Sequence, residues 1–174
     1  ASGADVVLIP EIPYDLDIVT DKVNDRNRRG KRFTIAVVSE GARPKGGGKV
    51  VQRVVEGSTD PLRLGGIGFV LGSQIEGETG IETRTVVMGH LQRGGVPTPF
   101  DRVLATRLGT RAVDMLLDGS YGYMVGVKGN DLVDVPLEEV ARGQRRVSSG
   151  DPLIRSARSV GTCFGDIKDI MPED

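Results

Sequence analysis

The sequence predicts an α/β fold built around a mainly parallel sheet. Three observations predict it. Residues 5–9 (DVVLI) and 33–38 (FTIAVV) are short continuous apolar runs, the pattern of strands buried on both faces. Between them, residues 15–29 carry the charge order of a helix: acidic Asp15 and Asp17 in the first turn, basic Arg26, Arg28 and Arg29 in the last, then Gly30. Residues 5–38 therefore read as strand–helix–strand, with a connection long enough for parallel pairing.

The elements follow in order. Pro10 ends the first strand, and Leu16, Val19 and Val23 give the following helix a modest buried stripe. Residues 41–49 (GARPKGGGK) are a loop by composition, and 50–63 are ambiguous. Residues 64–79 place Ile67, Val70, Leu71 and Ile75 at helical spacing, weakened by five glycines that would allow close packing against a sheet. A third strand is expected at 82–88 (ETRTVVM), a turn-rich loop at 89–98, and the strongest helix at 100–117. That helix has Val103, Leu104, Leu108, Ala112, Met115 and Leu116 on one face, and Gly119 closes it. Strands at 123–127 and 131–135, a helix from Pro136 through 137–142, and a short helix at 152–159 complete the pattern.

Composition narrows the function classes. The net charge is -1, from 23 basic and 24 acidic residues. No basic excess argues for a nucleic-acid coat, and aromatics at 4% with no Trp leave little to stack on bases. The arginines Arg142, Arg145, Arg146, Arg155 and Arg158 therefore make only a distant case for nucleic acid. A single cysteine, Cys163, allows no internal disulfide and suits a reducing compartment. No apolar run reaches the length of a membrane span. Among the basic residues 17 are Arg and 6 Lys, a bias toward the side chain that binds carboxylate and phosphate in bidentate fashion. The chain opens Ala-Ser-Gly without Met and enters a strand at once, as a chain already in progress would.

Several motifs fail. A phosphate loop at 46–49 (GGGK) would need Gly where Arg43 stands and Ser or Thr where Val50 stands. The pair Gly66 and Gly68 is followed by Leu71 where a dinucleotide fingerprint needs its third glycine. One His and one Cys exclude a zinc site built from this chain alone. The run from Arg26 to Arg32 holds five positive charges in seven residues, and reads first as a solvated helix end and second as an anion site. Glu40, two residues past an apolar run, suits either a loop cap or a sugar hydroxyl. The most informative segment is 84–95. There Gly89-His90-Leu91-Gln92-Arg93-Gly94-Gly95 follows a strand-like run and puts an imidazole, a guanidinium and exposed backbone N–H groups in one loop. That set suits a phosphate monoester as well as it suits a plain turn with a structural histidine.

At this segment a family resemblance becomes specific. Glu82-Thr83-Arg84, the Gly89–Gly95 stretch, Pro97, Pro99 and Phe100-Asp101-Arg102 resemble the signature of phosphofructokinases. The strand end at Ile35–Glu40 and the pair Pro10-Glu11 are similar at comparable spacing, and Ser159-Val160-Gly161-Thr162 with Phe164-Gly165-Asp166 resembles the bacterial branch that uses ATP or diphosphate. The resemblance covers nearly the whole chain but only about the C-terminal half of the family's subunit. It implies a three-layer phosphofructokinase-like fold, incomplete, and a cytoplasmic glycolytic enzyme. That enzyme moves a phosphoryl group from ATP or diphosphate to O1 of fructose 6-phosphate with Mg2+. By resemblance Glu40 would bind sugar hydroxyls, and His90 and Arg93 the 6-phosphate. Arg84 would reach the 6-phosphate of a neighbouring subunit in a homotetramer or homodimer. Asp5, Arg29 and Lys31 would fall on an effector site, with Asp5 in place of Glu and Arg29 in place of Lys.

The departures shape the expectation. The family's Gly-Gly-Asp donor loop and its Pro-Gly-Thr-Ile-Asp-Asn-Asp segment with the catalytic base do not occur, and no metal ligand is expected in this chain. A Met-Gly-Arg segment would belong just before residue 1, and residues 41–65 are longer than in compact bacterial enzymes. Residues 1–92 and 143–174 are expected to form an incomplete sugar-phosphate-binding domain, and 93–142 part of the donor-binding domain. The chain by itself is expected to be inactive. A non-catalytic α/β sugar-phosphate-binding or regulatory domain is the alternative.

Overall fold

The computed structural model describes residues 3–48, 51–54, 62–64, 66–143 and 146–169. In chain order the elements are β1 (Val6–Leu8), α1 (Leu16–Arg28), β2 (Ala36–Val38), β3 (Val51–Val54), β4 (Leu62–Leu64) and α2 (Ile67–Thr79). A 3-10 turn at Gly89–Arg93, α3 (Pro99–Leu117), β5 (Tyr123–Lys128), β6 (Asp131–Pro136), α4 (Leu137–Ala141), α5 (Pro152–Ser159) and a 3-10 turn at Ile167–Asp169 follow. They divide into two compact units, residues 1–87 with 147–174, and residues 88–146. No helix among the described residues is long and apolar enough to cross a membrane.

The first unit is organised by β1. It pairs in parallel with β2 in the register Val6–Ala36, Val7–Val37 and Leu8–Val38. On its other edge Val7 N–H donates to the Cys163 carbonyl at 2.8 Å, and Cys163 N–H donates to the Asp5 carbonyl at 2.9 Å. Alternate side chains of a strand point to opposite faces. Val6 and Leu8 accordingly enter a core with Val19 and Val23 of α1 and Ile67, Leu71 and Ile75 of α2, while Val7 and Ile9 meet Ile12, Ile154 of α5 and Phe164. Helices thus cover both faces of β1 in three layers. Asp15 caps α1 by accepting the Asp17 N–H at 3.1 Å. Val19, Thr20 and Val23 form the buried side of α1.

Three expectations are corrected. Residues 33–38 do not form a buried strand: only Ala36–Val38 pair, and Phe33, Ile35 and Val37 are 68, 41 and 46% exposed. The reason is position, since β2 is the edge of its two-stranded sheet among the described residues. Residues 82–88 form no ladder among the described residues. The helix expected from 64 begins at Ile67, because Leu64 closes β4, which pairs antiparallel with β3. That hairpin falls in the stretch the sequence leaves ambiguous.

In the second unit α3 starts on a capping box. Thr98 Oγ1 accepts the Asp101 N–H at 3.2 Å, and the Asp101 carboxylate accepts the Thr98 N–H at 2.8 Å. The Thr98 hydroxyl, which donates to the same carboxylate at 2.7 Å, and after it the Thr98 N–H hold the Asp101 carboxyl below its ordinary pKa. Helix α3 is tied to the β5–β6 antiparallel hairpin by Arg107, which donates to the Asn130 carbonyl at 2.7 Å, and by the Arg111–Asp134 ion pair. That pair raises the arginine's pKa and lowers the aspartate's, chiefly through their hydrogen bond. Of the apolar face read for this helix only Met115 is buried; Val103 and Leu116 are exposed.

A close approach within the core lies at Gly165. It has φ +75°, and a Cβ there would stand 2.7 Å from Tyr14 Cβ and 3.2 Å from Leu8 Cδ2 and Val19 Cγ2. Gly165→Ala should therefore destabilise the protein by about 2–4 kcal/mol, combining overpacking with a left-handed backbone. Urea denaturation of the two forms measures it.

Candidate functional site

The extended segment carrying Arg84 is held by α2. Thr83 N–H donates to the Glu76 carboxylate at 2.9 Å, and the Thr85 hydroxyl donates to the Gly68 carbonyl at 3.2 Å. Ile81, Thr83 and Thr85 are partly buried while Glu82, Arg84 and Val86 are exposed, so the chain alternates with the period of a strand although no strand among the described residues pairs with it. Arg84 consequently faces away from α2. Its Nε and a terminal nitrogen both reach Glu82 Oε1 at 3.0 Å, and its side chain is 86% exposed.

His90 and Arg93 sit in the 3-10 turn Gly89–Arg93, closed by Leu91 N–H on the Met88 carbonyl and Gly94 N–H on the Leu91 carbonyl. Residues three apart eclipse one another in a 3-10 helix, so the imidazole and the guanidinium rise from one side of the turn. Both are exposed. Neither has a polar side-chain partner among the described residues. Glu40 stands in the turn just past the carboxyl end of β2, where Ala42 N–H donates to the Ser39 carbonyl at 2.9 Å. Its exposed carboxylate has no partner among the described residues. Glu40 and Arg84 belong to the first unit, His90 and Arg93 to the second.

The residues read as an effector set are partly engaged. Asp5 accepts the Ile35 N–H at 2.9 Å and pairs with Arg26 at 2.8 Å; Arg26 also donates to Thr34 Oγ1 and the Phe33 carbonyl. The helix end is therefore not simply solvated: Arg26 turns inward and fixes the chain entering β2. Arg29 pairs with Asp25 one turn back at 2.9 Å. Lys31 is exposed.

Sequence reasoning missed an acidic knot near the end of the described chain. Asp169 Oδ2 accepts the N–H groups of Phe164 at 2.7 Å and Asp166 at 3.1 Å. Arg158 pairs with Asp166 at 2.7 Å and approaches Asp169 at 3.5 Å, with its guanidinium 5.3 Å from the Phe164 ring centre. Only the sequence neighbours Cys163–Asp169, read as a turn that needs an acceptor, could have signalled it. A cleft of about 940 Å³ opens beside this knot, flanked by Asp21, Lys22 and Arg28 of α1 and Arg155 of α5, and none of the candidate residues lines it.

Helices on both faces of β1, with β2 paired to it in parallel, define the first unit as an α/β architecture. A family model described as Phosphofructokinase matches residues 1–116, and the chain belongs to that family. It is 49% identical over 166 residues to an ATP-dependent 6-phosphofructokinase of Chloroflexus aggregans, covering 95% of this chain and 45% of that protein. It is 44% identical over 167 residues to ATP-dependent 6-phosphofructokinase 2 of Clostridium perfringens, covering 95% and 46%. The chain thus spans about half the length of these curated relatives. A crystal structure of Pichia pastoris phosphofructokinase superposes with a TM-score of 0.58 at 30% identity, over 79% of this chain and 14% of that one. A pyrophosphate-dependent phosphofructokinase from Marinobacter aquaeolei shares the fold, with a TM-score of 0.65 at 20% identity, over 95% and 42%.

Cys163 is buried beside β1, and burial first, then the charge of Asp169, pushes its pKa up to about 12 from 9.0. The native thiol should resist a thiolate-selective reagent at pH 8 and react rapidly once urea unfolds the chain. Because the folded pKa lies above the unfolded one, this group's contribution to stability is complete below pH 9 and is lost as pH rises from about 9 through 12.

Proposed function

We propose that this chain supplies the acceptor side of a 6-phosphofructokinase, which transfers a phosphoryl group to O1 of fructose 6-phosphate in glycolysis. The observation that carries the reading is the turn Gly89–Arg93, which puts His90 and Arg93 on one side directly after the segment that presents Arg84. A sugar 6-phosphate is a dianion, and two guanidiniums with an imidazole N–H supply charge-assisted donors for its oxygens. Glu40 accepts from the sugar hydroxyls. Arg84, facing outward, acts on the site of a neighbouring subunit in a homotetramer or homodimer. Asp5, Arg29 and Lys31 form an effector position. For Asp5 that role competes with its bonds to Arg26 and Ile35.

The first unit corresponds to the sugar-phosphate domain and the second to part of the donor domain; the structural division runs at 87/88 and 146/147, where the sequence reading put it at 92/93 and 142/143. ATP is the favoured donor, since relatives at 44–49% identity carry ATP-dependent names, while the diphosphate-using neighbour is similar in fold alone. Among the described residues no group of three or more His, Cys, Asp or Glu could hold magnesium. What these side chains do is bind and orient: the acceptor is held so that O1 meets the donor with its rotational freedom already lost. Proton removal from O1 belongs to a base outside this chain.

In the intact enzyme Arg93→Ala should raise KM for fructose 6-phosphate on the order of 10- to 100-fold, since hydrogen bonds to charged groups contribute about 1.5–3 kcal/mol. An unchanged KM would remove Arg93 from the site. Parallel assays with ATP and with diphosphate decide the donor. The 174-residue chain alone should show no turnover, and turnover by it would overturn the division of labour proposed here.

A further inference from the structure

Helix α2 has an interior rich in glycine, and each glycine there costs about 1 kcal/mol of helix stability against alanine. Two of them, with one acid, stand at intervals of four: Gly68, Gly72 and Glu76, one face of the helix. All three touch the segment that carries Arg84. A Cβ on Gly72 would lie 2.8 Å from Thr85 Oγ1 and 3.3 Å from Thr83 Cγ2, and one on Gly68 would lie 3.2 Å from Thr85 Cγ2. Glu76 takes the Thr83 N–H, and Thr85 donates to the Gly68 carbonyl. By contrast Gly77 of the same helix meets nothing within 4 Å.

We propose that Gly68, Gly72 and Glu76 are positioning residues for Arg84, fixing through Thr83 and Thr85 where the guanidinium is presented; this rests on the assignment of Arg84 to the acceptor phosphate. No ladder holds residues 80–88 among those described, so the α2 face replaces the missing strand neighbour. The two threonines turn inward and Arg84 turns out because a strand alternates. A methyl group at position 72 would push the threonine hydroxyl off the helix and displace Arg84 with it. Glu82, which accepts both Arg84 nitrogens, sets the guanidinium's resting direction.

The test uses the intact enzyme and the steady-state kinetics of fructose 6-phosphate. Gly72→Ala should raise KM about tenfold with kcat within a factor of two, as expected when a binding group is misplaced by a fraction of an ångström. Gly77→Ala, in open space, should leave both unchanged. In an Arg84→Ala background Gly72→Ala should add nothing to KM. Should Gly72→Ala fail to fold, Glu76→Ala is read in its place: it should raise KM likewise, and Glu76→Gln, which keeps an acceptor for Thr83, should restore it. A KM for Gly72→Ala equal to that of Gly77→Ala, or an undiminished effect without Arg84, overturns the positioning role alone. A wild-type enzyme that does not turn over fructose 6-phosphate overturns the functional assignment, and this role with it.

Discussion

Strand β1 is hydrogen-bonded along both edges, and the first unit depends on that. Three residues could not hold a domain by their own ladder. They do so because each edge meets a parallel neighbour, β2 on one side and the Cys163 segment on the other, and because each face meets helices. Val6 and Leu8 are fully buried, so their transfer from water contributes roughly 1.5–3 kcal/mol each. The polar backbone of a strand buried this way has to be paired on both edges, which the two neighbours accomplish.

Much of this architecture was legible. The run DVVLI, the charge order of α1 and the long periodic stretch of α3 are local signals, and local signals survive in the structure. What was not legible is set by neighbours. FTIAVV has the composition of a buried strand, yet burial requires something to lie against it, and β2 is an edge. The run ETRTVVM alternates as a strand should, yet a ladder needs a partner, and here a helix face takes that place. The arginines divide in the same manner: composition shows a taste for anions, whereas only coordinates show that Arg26 and Arg158 spend theirs on Asp5, Asp166 and Asp169.

The candidate site was legible to a different degree. Its residue types and their spacing in 84–93 suit a phosphate ester as well as a plain turn, and the 3-10 turn sets His90 and Arg93 on one side. Glu82 and the α2 face escaped notice because their part is indirect. They touch the arginine or its neighbours, and nothing in a one-dimensional pattern distinguishes a glycine kept for close approach from one that merely loosens a helix. The same ambiguity applies to Gly77, which the structure leaves in open space.

The bridge between Val6 and Cys163 has a consequence for how the protein is made. It joins residues far apart in sequence, and the second unit is wholly inserted between them. Closing so long a loop gives the first unit a high contact order, and such topologies fold slowly. On the ribosome β1 and α1 emerge early but lack the neighbour on one edge until nearly all of the described chain has been synthesised. The inserted unit thus forms while the first still has an open strand edge, and that interval is when the nascent protein most needs protection from edge-to-edge association.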